Sequence, residues 1–353
     1  MGVLFVDSCR LFLSRLIRFE DLSLFEVEGF FDSLFSESGI DLTVEELVLL
    51  SGFLVALLSK GVTVDELVGA ARSLRYHARR IQVIGSPVVD IVGTGGDCLD
   101  TINISTASSF VVAGAGVVVA KHGNRAVSSR SGSADVLEAC GVNLGLLPER
   151  VEELIAEIGI GFLFAQQFHP AMRRVAGLRK FLGIRTLFNL LGPLTNPAGA
   201  GCVLIGVYEP QLTEVFAGVL GELGCRRVMA VYGYDGMDEL TLTTRSRVTQ
   251  LFDGQTKTYD FFPELYFGGE LAKIDELRGG DATENAEILR GILSGKIKGG
   301  KRNIVLLNSA AALLCAEKVK SIEEGIEIAT MSIDSGKALE KLQLMIKKSN
   351  QKM

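Results

Sequence analysis

VVDIVGTGGD, residues 88–97, sets the tightest limit on what this chain can fold into. Its short β-branched apolar run reads as a strand buried on both faces, and such strands belong to parallel sheets covered by helices. Three glycines and a carboxylate follow, and hydroxyl residues then open a helix at about 104. The device returns. GVVVAKHG (116–123) reads as a strand leading through a loop into the helix SADVLEACG (133–141), and CVLIGVY (202–208) and RVMAVYG (227–233) flank another helix. Alternation of this kind predicts an α/β fold with a mostly parallel central sheet covered by helices.

The N-terminal part follows a different period. LTVEELVLLSGFLVALLSKG (42–61) spaces apolar residues helically, with Thr43 as cap, Glu46 three residues on and Gly61 as stop. VTVDELVGAARSLRYHA (62–78) repeats the pattern with Thr63 and Glu66. A chain of 353 residues has room for two domains. The expected division is a small all-helical domain over 1–85, joined by a strand-free stretch at about 167–197, and a larger α/β domain over 86–166 and 198–353. Further helices run from Pro148 to Ile158 and from about Ser321, and NIVLLNSAAALLCAEK (303–318) fits a strand or a helix start.

Composition removes some classes of function. A net charge of −6 argues against a nucleic-acid binder, which needs a basic face, although a local basic cleft stays open. The six cysteines are scattered without a CxxC pair, which favours free thiols in a reducing compartment. Asp7, Arg10, Arg15 and Arg18 interrupt the apolar opening segment, so neither a signal peptide nor a membrane span is expected, and the protein reads as cytoplasmic.

The glycine loop fits neither familiar phosphate motif. The GxGxxG pattern needs glycine at Cys98, and the P-loop needs a lysine where residues 81–120 have none. What remains is a turn whose bare N–H groups can converge on an anion beside a helix N-terminus. A plain strand-to-helix turn capped by Asn103 or Ser105 is an equal reading of the loop alone. A second loop carries Lys121, His122, Asn124, Arg125, Ser128 and Ser129 before a helix capped near Ser131 or Ser133. Two cations among hydroxyls suit a polyphosphate, with a solvated basic loop as the competing reading. Both loops leave strand C-termini, where open α/β sheets place their ligands. After the strand at 227–233 come Asp235, Asp238 and Glu239. Carboxylates facing a phosphate cleft imply Mg²⁺ between them, against the alternative of an acidic surface turn.

Taken together, these strings resemble the anthranilate phosphoribosyltransferases, enzymes of the nucleoside-phosphorylase-like class. The resemblance rests on GTGGD with NIST, KHGNRAVSSRSGSADVLEACG, FLFAQQFHPAM, LGIRTLFNLLGPLTNP, DGMDELT, NSAAALLCAE and DSGKALEKL, and runs from about Leu47 to Leu342. It implies a small helical domain beside a larger α/β domain, paired as a homodimer through the helical domains. The implied reaction moves the phosphoribosyl group of phosphoribosyl pyrophosphate (PRPP) to the amine of anthranilate, releasing pyrophosphate, in tryptophan biosynthesis. On this chain the resemblance assigns PRPP to Gly93, Gly96, Asp97, Thr101, Asn103, Ile104, Ser105, Thr106, Lys121, His122, Gly123, Asn124, Arg125, Ser128, Ser129 and Ser133. It assigns Mg²⁺ to Ser105, Asp238 and Glu239, and anthranilate to Gly93, Asn124, His169 and Arg179. Lys121, His122 and Arg179 are the expected catalytic groups, and His77 is expected to be structural. Cys98-Leu99-Asp100 departs from the family, which keeps small residues there; Asp100 is expected to point outward. A pyrimidine-nucleoside phosphorylase and a nucleic-acid-binding paralogue share the fold class. The KHGNR string speaks against the first, and the retained Asp238-Glu239 pair and acidic balance speak against the second.

Overall fold

The computed structural model describes residues 2–36, 41–85, 87–97, 99–126 and 130–351, with the backbone alone for 2–4. Cys98, Ser128 and Ser129 therefore lie outside the described residues. Four helices come first: α1 (Gly2–Leu16), α2 (Leu24–Phe35), α3 (Val44–Lys60) and α4 (Val64–Tyr76). Strand β1 (Val88–Gly93) leads to α5 (Ile104–Gly114), and β2 (Val118–Gly123) leads to α6 (Ser133–Ala139), α7 (Pro148–Ile158) and β3 (Ile160–Phe164). Three short helices follow: α8 (Ala165–Phe168), α9 (Arg173–Leu182) and α10 (Leu187–Leu191). Then come β4 (Cys202–Gly206), α11 (Leu212–Glu222), β5 (Arg227–Gly233), β6 (Ser246–Phe252) and β7 (Gln255–Phe261). Helices α12 (Ala282–Leu293), α13 (Gly300–Cys315), α14 (Ile322–Asp334) and α15 (Lys337–Ser349) close the chain.

Two compact units result, Met1–Arg80 with Ala165–Pro197 and Ile81–Phe164 with Ala198–Met353. The first is all-helical. Thr43 and Thr63 each close a reciprocal capping box with the glutamate three residues on, which satisfies N–H groups that a helix start leaves open. The unit's core is aromatic: Phe30 and Phe53 lie 4.4 Å apart, and Phe31 meets Phe188 edge-on. Gly69 lets α4 approach α2, because a Cβ there would sit 2.4 Å from the Leu24 carbonyl oxygen.

The second unit is built on a seven-stranded, mostly parallel mixed sheet in the order β3-β2-β1-β4-β5-β6-β7. Strands β1 to β5 pair in parallel; β6 and β7 add an antiparallel edge. The apolar runs of β1, β2, β4 and β5 are buried beneath α5 and α13, whose Phe110, Val111, Ile304 and Leu307 join one core. Three elements differ from expectation. β3 is a strand in a stretch left unassigned between the helix ending at Ile158 and the strand-free region that follows. β6 and β7 form a hairpin around Asp253 and Gly254, both at positive φ (50° and 83°), the backbone of a type I′ turn. The 303–318 string, read as a strand or a helix start, is helix as far as Cys315, within α13. The start of α6 is also corrected: Gly132 is the cap residue and Ser133 is the first helical one, with Asp135 accepting the Gly132 N–H at 3.0 Å. Cys9, Cys140, Cys202, Cys225 and Cys315 are buried free thiols. Among the described residues no helix is long and apolar enough to cross a membrane.

Candidate active site

Strands β1, β2, β4 and β5 all end in glycine, and at each of these ends an added Cβ would lie within 2.5 Å of another atom. The chain leaves β1 for β2 on one side while β4 pairs on the other, so a topological switch point falls between β1 and β4. Gly93 and Gly206 are in register there. A Cβ on Gly93 would lie 2.4 Å from the Asp238 Oδ2, and one on Gly206 only 1.4 Å from the Asp238 carbonyl oxygen. The turn after β5 thus lies directly over the ends of β1 and β4. It is held there by the glycine loop, whose Gly95 N–H donates to Asp238 Oδ2 at 2.7 Å. Glu239 reaches the start of α5, where the Ser105 N–H donates to Oε1 at 3.1 Å. A carboxylate on an open first-turn N–H also benefits from the helix dipole.

Lys121 completes this corner from β2. It is buried, and its Nζ donates to the Ile91 carbonyl at 2.6 Å and to Ser105 Oγ at 3.2 Å. Burial lowers its pKa, against the opposing pull of Asp90, Glu239 and Asp238. Burial pushes the Glu239 carboxyl well above its ordinary range, and the neighbouring Asp238 pushes it further. Asp97 rises to about 6, first through burial and then through Asp238. Asp238 and Asp97 both crowd Glu239 and favour its protonated form, a repulsion that a divalent cation would relieve. Ser105 Oγ, Asp238 and Glu239 are hard oxygen donors of the type Mg²⁺ takes. Among the described residues no three His, Cys, Asp or Glu side chains are arranged to hold a metal by themselves.

Other residues singled out in the sequence have more local roles. Asp235 closes its own turn, accepting from the Met237 N–H at 3.1 Å and from the hydroxyls of Thr241 and Thr243. Asn103 precedes α5 without capping it through its side chain. Instead its amide accepts from Asn285 Nδ2 at 2.8 Å and donates to the Ser131 carbonyl at 3.1 Å, tying the two loops together. Arg125 turns to Asp135 and Glu138 of α6, at 3.0 and 2.7 Å, and lies over the Phe164 ring. Asn124 is exposed; its Oδ1 accepts the Arg125 N–H, and its carbonyl accepts the Ser133 hydroxyl at 3.3 Å. Gly123 has a steric reason as well, since a Cβ there would meet Ser133 Oγ at 2.4 Å.

Gly96 lies half-buried in the turn, Thr101 bridges to Arg278, and Ile104 is buried at the start of α5. The Thr106 hydroxyl is buried with no hydrogen-bond partner among the described residues. Asp100 is exposed, at φ 50°, and its carbonyl accepts the Gly279 N–H at 2.8 Å. His122 is buried, its main-chain N–H donating to Asp90 Oδ1 at 3.1 Å. Asp90 and Gly206 are the residues the sequence reading passes over. Asp90 is the one carboxylate inside the β1 run, and Gly206 ends β4 as Gly93 ends β1.

In the helical unit, burial drops the His169 pKa to about 4, so its imidazole is neutral at pH 7. Arg179, on α9, is half-buried, with its guanidinium 6.0 Å from the centre of the Phe188 ring. Burial lowers its pKa. His77 sits 3.3 Å from Asp32 and edge-on to Phe35.

A helical bundle joined to an α/β unit with this strand-end corner defines a two-domain glycosyl transferase. The model of the glycosyl transferase family helical bundle domain matches residues 10–78, and that of the glycosyl transferase family a/b domain matches 85–339. The anthranilate phosphoribosyltransferase of Desulfosudis oleivorans is 51% identical over 340 residues, covering 96% of this chain and 98% of that one. The enzyme of that name from Acetivibrio thermocellus is 52% identical over 301 residues, 85% of this chain and 87% of its own. Among solved structures, the Thermus thermophilus anthranilate phosphoribosyltransferase superposes with a TM-score of 0.88 at 42% identity, covering 96% of this chain and 99% of that one. The Saccharomyces cerevisiae enzyme in complex with PRPP and Mg gives 0.89 at 28% identity, covering 97% and 98%. The chain belongs to the anthranilate phosphoribosyltransferases.

Proposed function

We propose that this chain transfers the 5-phosphoribosyl group of PRPP to the amine of anthranilate, giving N-(5-phosphoribosyl)anthranilate and pyrophosphate, with the bond broken at the ends of β1, β2 and β5. The observation that carries this assignment is the contiguous set Lys121 Nζ, Ser105 Oγ, Ser105 N–H and Glu239 Oε1 beside the Gly95–Asp238 bond. Breaking the bond from ribose C1 to pyrophosphate leaves an oxocarbenium-like sugar and a highly charged leaving group. Catalysis then consists of stabilising that charge and aligning the amine. Mg²⁺, held by Ser105, Asp238 and Glu239, would supply charge neutralisation at the phosphates. Lys121 keeps the Ser105 hydroxyl oriented and sets a positive charge against Asp238 and Glu239. PRPP is assigned to Gly93, Gly96, Asp97 and the start of α5 from Thr101 to Thr106, together with Lys121 to Arg125 and Ser133. Arg125 would exchange its α6 carboxylates for phosphate oxygens.

Arg179 presents a partly desolvated guanidinium suited to the anthranilate carboxylate. Gly93, Asn124 and His169 are the further anthranilate contacts. A neutral His169 favours lining over proton transfer, and no strong base is required, because the aromatic amine sheds its proton after attack. A homodimer through the helical unit remains the assembly of choice. It is supported by the exposed apolar stripe Val44, Val48, Val55 and Leu58 on α3.

The test is anthranilate fluorescence followed with PRPP and Mg²⁺. Turnover is expected in the native chain, with a loss of at least about 100-fold in Asp238→Ala/Glu239→Ala, the scale for a mispositioned site. Survival of full turnover in the double variant would refute the metal assignment. Phosphate-dependent nucleoside cleavage in place of anthranilate turnover would instead support a phosphorylase.

A further inference from the structure

We propose that Asn308, on α13, is a positioning residue that sets Glu239 against Ser105; this rests on the reading of those residues as Mg²⁺ ligands. Asn308 is fully buried among the apolar residues of α13, where an amide is costly unless its hydrogen-bonding capacity is met. Its Oδ1 accepts the Leu240 N–H at 3.0 Å, and its Nδ2 donates to the Leu240 carbonyl at 2.9 Å and to the Ile304 carbonyl at 2.9 Å. The side chain therefore engages both main-chain groups of a single residue, as a neighbouring strand would, and that residue directly follows Glu239. The same helix also grips α5: the Ser108 hydroxyl donates to the Val305 carbonyl at 3.3 Å. One turn of α13 thus holds α5 just beyond Ser105 and the acidic turn just beyond Glu239. The 3.1 Å contact between Ser105 N–H and Glu239 is fixed from behind. A residue that only filled core volume would need no such pairing, and a leucine at 308 would leave both Leu240 groups to find other partners.

The experiment compares Asn308→Ala and Asn308→Asp with the native chain. It measures turnover against Mg²⁺, the KM for anthranilate, and PRPP binding by calorimetry with and without Mg²⁺. Asn308→Ala should raise half-saturating Mg²⁺ about tenfold and weaken Mg²⁺-dependent PRPP binding to match, about 1.4 kcal/mol, with little change in the KM for anthranilate. Asn308→Asp keeps the acceptor for the Leu240 N–H but sets a carboxylate oxygen against the Leu240 and Ile304 carbonyls, so it should weaken Mg²⁺-dependent binding at least as much. In a Glu239→Gln background the calorimetric effect of Asn308→Ala should shrink to within about twofold, because residues acting as one unit do not add. Native Mg²⁺ dependence in a folded Asn308→Ala, or full additivity with Glu239→Gln, would overturn the proposal. So would failure of both variants and Asn308→Ser to fold, since the amide would then serve stability alone. Absence of Mg²⁺-dependent turnover in the native chain would instead remove the reading beneath it.

Discussion

Glu66 and Glu239 are both buried glutamates, one in the first turn of α4 and the other in the turn between β5 and β6, yet their surroundings are opposite. Glu66, in the helical unit, accepts from the Leu22 N–H at 3.0 Å, the Thr63 N–H at 2.8 Å and Lys60 Nζ at 3.1 Å. Every donor comes from the unit's own helices and linkers, and the charge is fully answered. Glu239 has the Ser105 N–H and, beyond it, Lys121, but it also faces Asp238 and Asp97, which push its protonation up. The first arrangement is complete as it stands. The second holds more negative charge than its protein partners offset, which suits a site that receives a cation with its substrate. The helical unit answers its buried glutamate from within, whereas the α/β unit leaves one open, and the comparison can be broken at several points.

The largest effect is expected at Gly206. A methyl group there would lie 1.4 Å from the Asp238 carbonyl oxygen, so the acidic turn must move. Gly206→Ala should lower kcat/KM at least about 100-fold, the scale for a displacement near 1 Å. Gly218→Ala, in α11 with nothing within 4 Å of the added carbon, should leave steady-state turnover unchanged. Equal activity in the two variants would mean that the turn's position does not matter.

Asp97 sharpens the comparison through pH. Its pKa rises from the ordinary 3.8 to about 6, so the folded protein holds the proton more tightly than the unfolded chain. The associated stability is present below about pH 4 and is lost as pH rises through 6. At pH 7 the ionised carboxylate is therefore a cost, on the order of 1–2 kcal/mol after allowance for its partial exposure. Asp97→Asn should stabilise the metal-free protein by that amount in urea unfolding at pH 7, and by little at pH 4. Turnover should fall in the same variant. A variant less stable than the native chain at pH 7 would contradict the crowded-carboxylate account.

The contrast between the units also explains what could be read from the sequence. The caps at Thr43 and Thr63 and the strands β1, β2, β4 and β5 are local patterns, so periodicity and residue type suffice to place them. Most motifs of the site were visible for the same reason, as strings following strand ends. What escaped depends on distant partners. The meeting of Glu239 with Ser105, 134 positions away, follows only from the family resemblance, and Gly206 has a steric role only because Asp238 comes to rest above it. DGMDE gives no hint that Asp235 is consumed by Thr241 and Thr243 while Asp238 is not. Arg125 reads as a phosphate ligand until α6 folds back and offers Asp135 and Glu138. β3 is hidden because its five apolar residues directly follow a helix. The β6–β7 hairpin is a different case: its Asp253-Gly254 signal was present, but the flanking strands are too polar to read as buried ones.

The smallest effect tests the helical side. Thr63 caps α4 by accepting the Glu66 N–H at 3.3 Å, while Glu66 takes the Thr63 N–H in return. Thr63→Ala removes the first bond and keeps the second, because the backbone N–H remains. The expected loss is about 1 kcal/mol, the usual value of an N-cap hydroxyl, read as a lower denaturant midpoint with an unchanged slope. Half-saturating Mg²⁺ and kcat should match the native chain, since nothing in this cap touches the strand-end corner. A change in Mg²⁺ dependence without a change in stability would reverse the assignment of roles, making the cap part of the functional machinery.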